Sequence, residues 1–191
     1  MKNRIPYNPS LIEPKWQKKW KDSKIYNVDL DSKDKKNYFS LTMFPYPSGD
    51  LHIGHWYAFT PADSYSRFKK MKGFNVLHTQ GFDAFGLPAE NAAISRNINP
   101  MKWTFDNIDN MRGQFNLMGN SYDWTRELIT CTPEYYKWNQ FFFLKMYEKG
   151  IAYRKNGAVW WDPIDQTTLA NEQVVEGKSD NYDTSLFSDL T

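Results

Sequence analysis

The sequence predicts an α/β fold: a strand, a crossing helix and a second, parallel strand, with further helices flanking them and a β-hairpin after them. Three observations carry it. Residues 38–44, Tyr-Phe-Ser-Leu-Thr-Met-Phe, are short, aromatic and β-prone. Residues 53–71 are apolar at helical spacing and run into Lys69, Lys70 and Lys72 before Gly73, a basic last turn with a glycine stop. Residues 74–78, Phe-Asn-Val-Leu-His, are β-prone again. A helix crossing between two such strands joins them in parallel and with right-handed sense.

Composition agrees with a packed domain. Of 191 residues, 40% are hydrophobic and 17% aromatic, enough large apolar surface to exclude a disordered or collagen-like chain. The formal charge of +2 is too small for a strongly basic nucleic-acid surface, so such a partner would need a local patch. Cys131 is the one cysteine, which excludes an internal disulfide framework and any multi-cysteine metal site in this chain, and suits a reducing compartment. No stretch approaches the ~18 apolar residues of a membrane span. Met1-Lys2-Asn3-Arg4 leads into no apolar leader, so a cytoplasmic protein without a membrane partner is expected.

Ahead of the first strand, Trp16 and Trp20 stand four apart on one face of a short amphipathic helix, with Pro14 expected in its first turn. The indoles are expected to pack on a neighbouring element while the lysines face water. A charged connector over 31–37 leads to the first strand, and Pro45-Tyr46-Pro47-Ser48-Gly49-Asp50 breaks it. After the second strand, Gly81-Phe82-Asp83-Ala84-Phe85-Gly86 reads as a loop. Helices are expected over 88–96 and 101–117, the latter with Trp103, Ile108, Met111 and Phe115 at helical spacing. Pro133 opens an aromatic helix to Lys149, closed by Gly150. The period then moves toward two over 151–153 and 158–161, and Asn156-Gly157 between them signals a hairpin turn. Residues 176–191 are polar and expected to be loose.

The segment His52-Ile53-Gly54-His55 falls where the first strand hands over to the helix, the edge at which open α/β sheets bind ligands. A helix N-terminus there offers free N–H groups and a positive dipole end to phosphate. Neither a P-loop nor a Gly-x-Gly-x-x-Gly is present. In their place stand two imidazoles one turn apart, able to point together at an anion and donate to it, with Gly54 between them to let a flat group approach the backbone. Read alone, the pair also fits a surface pair or part of a metal site, although no third ligand follows in helical register. Asp83, after the second strand, suits a cationic partner or else its own turn bonds. Met43, Phe44 and Tyr46 serve a pocket or a core equally well.

With these residues the chain resembles the class I aminoacyl-tRNA synthetases, whose nucleotide motif is His-Ile-Gly-His in this setting. Within that class it is similar to the leucyl-tRNA synthetases, through Met43-Phe44-Pro45-Tyr46-Pro47-Ser48-Gly49 and Gly81-Phe82-Asp83-Ala84-Phe85-Gly86-Leu87-Pro88-Ala89-Glu90-Asn91. Trp138-Asn139-Gln140, Leu144, Tyr147-Glu148-Lys149-Gly150 and Leu169-Ala170-Asn171-Glu172-Gln173-Val174 extend the similarity to about residues 7–177. The run from Asp83 to Glu90 argues against the other branched-chain members.

The resemblance implies an N-terminal helical extension over 1–36 and the first half of a Rossmann-like parallel nucleotide-binding sheet over 37–132. It implies the start of a connecting insertion, helix plus hairpin root, over 133–177, and a tail over 178–191. The implied activity is ATP-dependent activation of leucine to leucyl-adenylate and its transfer to tRNA(Leu). Leucine, ATP and tRNA(Leu) are then the partners, Mg2+ accompanies ATP, and the full-length protein is a monomer. His52 and His55 would be catalytic, gathering the ATP phosphates together with Pro45, Gly49 and Gly54. Met43, Phe44 and Tyr46 would line the leucine pocket, and Asp83 would pair with the α-ammonium.

Two departures qualify the resemblance. Many members carry zinc-binding cysteines where this chain has Trp160-Trp161-Asp162-Pro163-Ile164-Asp165-Gln166. Asp162 and Asp165 alone make a poor zinc site, so no zinc is expected and tryptophan packing should hold the hairpin. The second family motif, Lys-Met-Ser-Lys-Ser, and the editing and anticodon-binding parts do not occur in these residues. An N-terminal piece of a longer enzyme, inactive when isolated, is therefore expected, with a non-catalytic nucleotide-binding paralogue as the alternative.

Overall fold

A computed structural model describes residues 6–164, 166–175 and 178–179. The chain falls into two compact units, Met1–Asn139 and Gln140–Thr191. In chain order the first holds α1 (Pro9–Asp22), β1 (Asn37–Ser40), α2 (Ile53–Met71), β2 (Asn75–His78), β3 (Gly81–Phe82), α3 (Leu87–Ser95), α4 (Pro100–Met118) and β4 (Leu128–Ile129). The helix α5 (Pro133–Glu148) runs from it into the second, which holds β5 (Trp160–Asp162), β6 (Thr167–Leu169), β7 (Val174–Val175) and β8 (Lys178–Ser179).

The strand–helix–strand unit is present. β1 and β2 pair in parallel from Asn37↔Asn75 to Ser40↔His78, and α2 connects them. α2 occupies the residues its periodicity predicts, and Gly73, at φ +85°, takes a backbone conformation that favours glycine just past the Lys72 cap. β1 ends at Ser40, earlier than its β-prone composition suggests. The reason is its partner: after His78 the chain leaves the ladder, and Gly81 and Phe82 form β3 instead, in parallel with β4 at Gly81↔Leu128 and Phe82↔Ile129. The stretch expected to be wholly loop thus begins as a strand. It needs Gly81, because a Cβ there would lie 2.3 Å from the Leu128 carbonyl oxygen.

α1 also differs from expectation. It begins at Pro9, whose missing N–H falls where a helix has no partner for it, so Pro14 lies inside the helix rather than in its first turn. Trp20 packs as expected, but Trp16 stays 42% exposed, with the Lys19 ammonium 4.9 Å above its ring.

The core of this unit is Phe59, Phe82, Ala84, Ile108, Met111, Phe115 and Tyr122, gathered from α2, β3, α4 and the segment after α4. Phe115 is its hub, with ring centroids 5.4 Å from Phe59, 5.7 Å from Tyr122 and 5.9 Å from Trp124. Beside it runs a polar web. Arg67 donates to Asp63 Oδ2 at 2.8 Å and to the Tyr26 hydroxyl at 2.6 Å, and its guanidinium lies 5.0 Å from the Trp20 ring. Asp63 Oδ1 accepts from the N–H and hydroxyl of Ser121, both at 2.5 Å. The Val28 N–H donates to buried Asp123, whose own N–H donates to the His78 carbonyl of β2 at 2.8 Å, so Asp123 ties the N-terminal segment to the strand end.

In the second unit β5 and β6 pair antiparallel, Trp161 opposite Thr168. The hairpin is not where Asn156-Gly157 predicts it: residues 151–159 hold no strand, and the chain has turn residues at 163, 164 and 166, between β5 and β6. Asp162 is buried and its Oδ1 accepts the Ile164 N–H at 2.8 Å, starting that turn. Trp160 and Trp161 are half-buried, and the Trp160 indole donates to Asn171 at 3.2 Å. Of the expected loose tail, residues 178–179 pair with β7, while residues 176–177 and 180–191 lie outside the described residues. Among the described residues no helix is long and apolar enough to cross a membrane.

Candidate active site

His52 is the N-cap of α2 and His55 its third residue, and they cap each other. The Nδ1 of His52 accepts the Gly54 N–H at 3.1 Å, and the Nδ1 of His55 accepts the His52 N–H at 3.1 Å. This is a capping box built from two imidazoles instead of a hydroxyl and a carboxylate. It also fixes the neutral tautomer of both rings: with Nδ1 occupied as acceptor, the proton sits on Nε2. Neither Nε2 has a hydrogen-bond partner among the described residues. The ring centroids are 4.0 Å apart, and His55 stacks on core Phe59 at 5.9 Å. Partial burial, and then the neighbouring His52, push the His55 pKa below the ordinary imidazole value, so His55 is a neutral N–H donor at pH 7.

Gly54 has a closer occupant than the flat ligand expected of it. A Cβ at this position would stand 2.8 Å from His52 Cε1 and 2.9 Å from its Nδ1, so glycine makes room for the His52 ring itself. The cap and the glycine are one device.

The loop from Pro45 to Leu51 brings the sequence-predicted residues to this helix end. Pro45 and Pro47 are buried. Asp50, which sequence reasoning did not single out, accepts from Asn110 at 2.6 Å and Gln114 at 2.9 Å, and Gln114 in turn accepts the Leu51 N–H at 2.8 Å. Two amides on α4 thus hold the residues just before His52. A polar stripe at Asn110 and Gln114, next to the apolar stripe of Met111 and Phe115 on the same helix, was the one signal in the sequence.

Asp83 follows β3 directly. Its N–H donates to the Pro45 carbonyl at 3.0 Å, which joins the two segments that the motif reading pairs. Its Oδ1 accepts from the Thr130 hydroxyl at 3.3 Å. Met43 and Tyr46 are 79% and 55% exposed and Phe44 is half-buried, so these three stand open rather than in a closed pocket. Gly49 has open space around it. Cavities of about 800 and 640 Å³ lie beside α1 and the end of α4, the second also bordered by Trp56, Asp63 and Arg67 of α2, and neither is lined by His52 or Asp83. Among the described residues no group of three His, Cys, Asp or Glu could hold a metal ion, and Asp165 lies outside them.

A parallel strand–helix–strand unit with an imidazole-capped helix at the strand ends is the framework of a nucleotide-binding α/β enzyme. The family model "tRNA synthetases class I (M)" matches residues 38–184, and the chain belongs to the class I tRNA synthetases. Curated relatives point to one member. The chain is 58% identical over 171 residues to a leucine–tRNA ligase of Dehalococcoides mccartyi, covering 90% of this chain and 21% of that protein. It is 57% identical over 180 residues to that of Thermosipho melanesiensis, covering 94% and 22%. Among solved structures, a ternary complex of Agrobacterium radiobacter LeuRS with tRNA and LeuAMS superposes with a TM-score of 0.87 at 41% identity, over 95% of this chain and 24% of that one. The methionyl-tRNA synthetase of Mycobacterium tuberculosis, at 22% identity and a TM-score of 0.64 over 80% of this chain and 30% of its own, shares the fold. The chain therefore spans about a fifth of the length of the curated relatives it matches.

Proposed function

We propose that this chain supplies the ATP-phosphate clamp and part of the leucine pocket of a leucine–tRNA ligase, which activates leucine to leucyl-adenylate and transfers it to tRNA(Leu). The observation that carries the reading is the reciprocal cap of His52 and His55. It leaves two Nε2–H donors beside a helix N-terminus, where phosphate charge is favoured. As the leucine carboxylate attacks the α-phosphorus and pyrophosphate leaves, those donors stabilise charge that develops on the phosphate oxygens, and being prefixed they need no reorganisation. Asp83 holds the α-ammonium, and so sets the carboxylate in line with phosphorus. Met43, Phe44 and Tyr46 border the leucine side chain, and Pro45, Gly49 and Gly54 shape the loop beneath the phosphates. Mg2+ would enter with ATP, no zinc is assigned, and the protein would work in the cytoplasm.

The test is leucine-dependent ATP–pyrophosphate exchange by a full-length ligase carrying this chain. His52→Ala and His55→Ala should each lower exchange by about 10²- to 10³-fold. Leucine, and not methionine, should drive it in the parent. Near-normal exchange in both variants would overturn the clamp assignment.

A further inference from the structure

We propose that Thr130 is a positioning residue for Asp83, a role that rests on the reading of Asp83 as the partner of an α-ammonium group. Thr130 stands one residue past β4, and its N–H donates to the Phe82 carbonyl at 3.1 Å, continuing the parallel pairing of β3 and β4. That bond fixes its backbone against the residue just before Asp83. The hydroxyl then works in both directions. Its oxygen accepts the Ala84 N–H at 2.8 Å, and its hydrogen is directed to Asp83 Oδ1 at 3.3 Å. A hydroxyl has one proton and two lone pairs, so the bond from Ala84 leaves that proton to orient the carboxylate.

Asp83 is thereby held from two sides, by its own N–H on Pro45 and by one carboxylate oxygen on Thr130. Its Oδ2 has no hydrogen bond among the described residues. A carboxylate with one oxygen tethered and the other free presents an acceptor in a set direction. The chemistry that fits it is a primary ammonium, a compact charge with three donors. Binding then requires less ordering of the Asp83 side chain, which is where preorganisation raises affinity.

The experiment measures pyrophosphate exchange by a full-length ligase carrying this chain, with Thr130→Val, Thr130→Ser, Asp83→Asn and the double variant Asp83→Asn/Thr130→Val. Thr130→Val should raise the KM for leucine about tenfold while the KM for ATP and kcat stay within about twofold, as expected for one lost hydrogen bond. Thr130→Ser should restore the parent KM, and in the Asp83→Asn background Thr130→Val should add nothing. Parent-like leucine KM in Thr130→Val, with a large loss in Asp83→Asn, would refute the positioning role and leave Asp83 in place. A parent-like leucine KM in Asp83→Asn would refute the reading of Asp83 and this inference with it. An effect of Thr130→Val that falls equally on ATP, or adds fully to Asp83→Asn, would show a merely structural residue.

Discussion

His55 Nδ1 and the backbone N–H of His52 lie 3.1 Å apart, while His52 Nδ1 accepts from Gly54 at the same distance. One nitrogen of each ring is thus spent on starting the helix and the other is left for a ligand. The two roles can be separated, because a side chain that imitates Nδ1 alone keeps the cap and loses the donor.

Asparagine is among the best N-caps and offers its oxygen near the position of Nδ1, while its amide NH2 stops one bond short of where Nε2 donates. His52→Asn should therefore match the parent in urea unfolding, whereas His52→Ala should lose about 1 kcal/mol. Both should lose pyrophosphate exchange in a full-length ligase. Retained exchange in the asparagine variant would mean that the cap alone, and not Nε2–H, is what the site needs.

Gly54→Ala tests the glycine from the other side. The added Cβ meets the His52 ring at 2.8 Å, so the ring must swing away and drop its bond to the Gly54 N–H. Alanine also favours helix by about 1 kcal/mol, which offsets the lost cap. The expected result is an unfolding midpoint near the parent's and a large fall in exchange. Parent-like exchange would show that the cap need not be formed for turnover.

How much of this was legible follows from which interactions are local. α2 was readable to its end residues, because a proline-rich break precedes it and Lys72-Gly73 stops it. The histidine motif and Asp83 were readable as residue types, but not the bonds that aim them. The β3–β4 pair was invisible: two-residue strands carry no period, and Phe82 and Ile129 are far apart in sequence. Asn156-Gly157 misled because a turn signal needs β-prone runs that find each other, and Trp160-Trp161 found Thr168-Leu169 instead. Asp63 and Arg67, four apart on a helix, carry no signal in the sequence beyond the spacing of an ordinary ion pair; only folding puts Ser121 and Trp20 around them.

Gly81→Ala should show how far the site depends on that unseen strand pair. The new Cβ would sit 2.3 Å from the Leu128 oxygen and 2.9 Å from its Cβ, and backbone cannot give way cheaply. Parting β3 from β4 should cost about 2 to 3 kcal/mol, by urea unfolding, and shift Thr130 away from Asp83. A stability within about 0.5 kcal/mol of the parent would mean that the strands do not approach this closely.

His78, at the end of β2, gives the fold a defined dependence on pH. It is 1% exposed, its ring centroid lies 4.5 Å from that of Tyr122, and its Nε2 has no hydrogen-bond partner among the described residues. Burial pushes its pKa from 6.5 down to about 4; Asp63, 3.8 Å from Nδ1, works against that, and Arg67 works with it. The ring is therefore neutral in the folded chain, while in the unfolded chain it takes up a proton near pH 6.5. Stability from this group is present above pH 6.5 and is lost as pH falls toward 4, by at most about 3 kcal/mol. Between pH 7.5 and 5 the unfolding free energy should fall by about 2 kcal/mol in the parent, before most carboxylates titrate. His78→Phe and His78→Gln have no such proton to bind and should lose most of this slope, keeping only the part from His55, whose pKa burial also lowers. A slope as steep in both variants as in the parent would place the proton elsewhere and remove His78 as the cause.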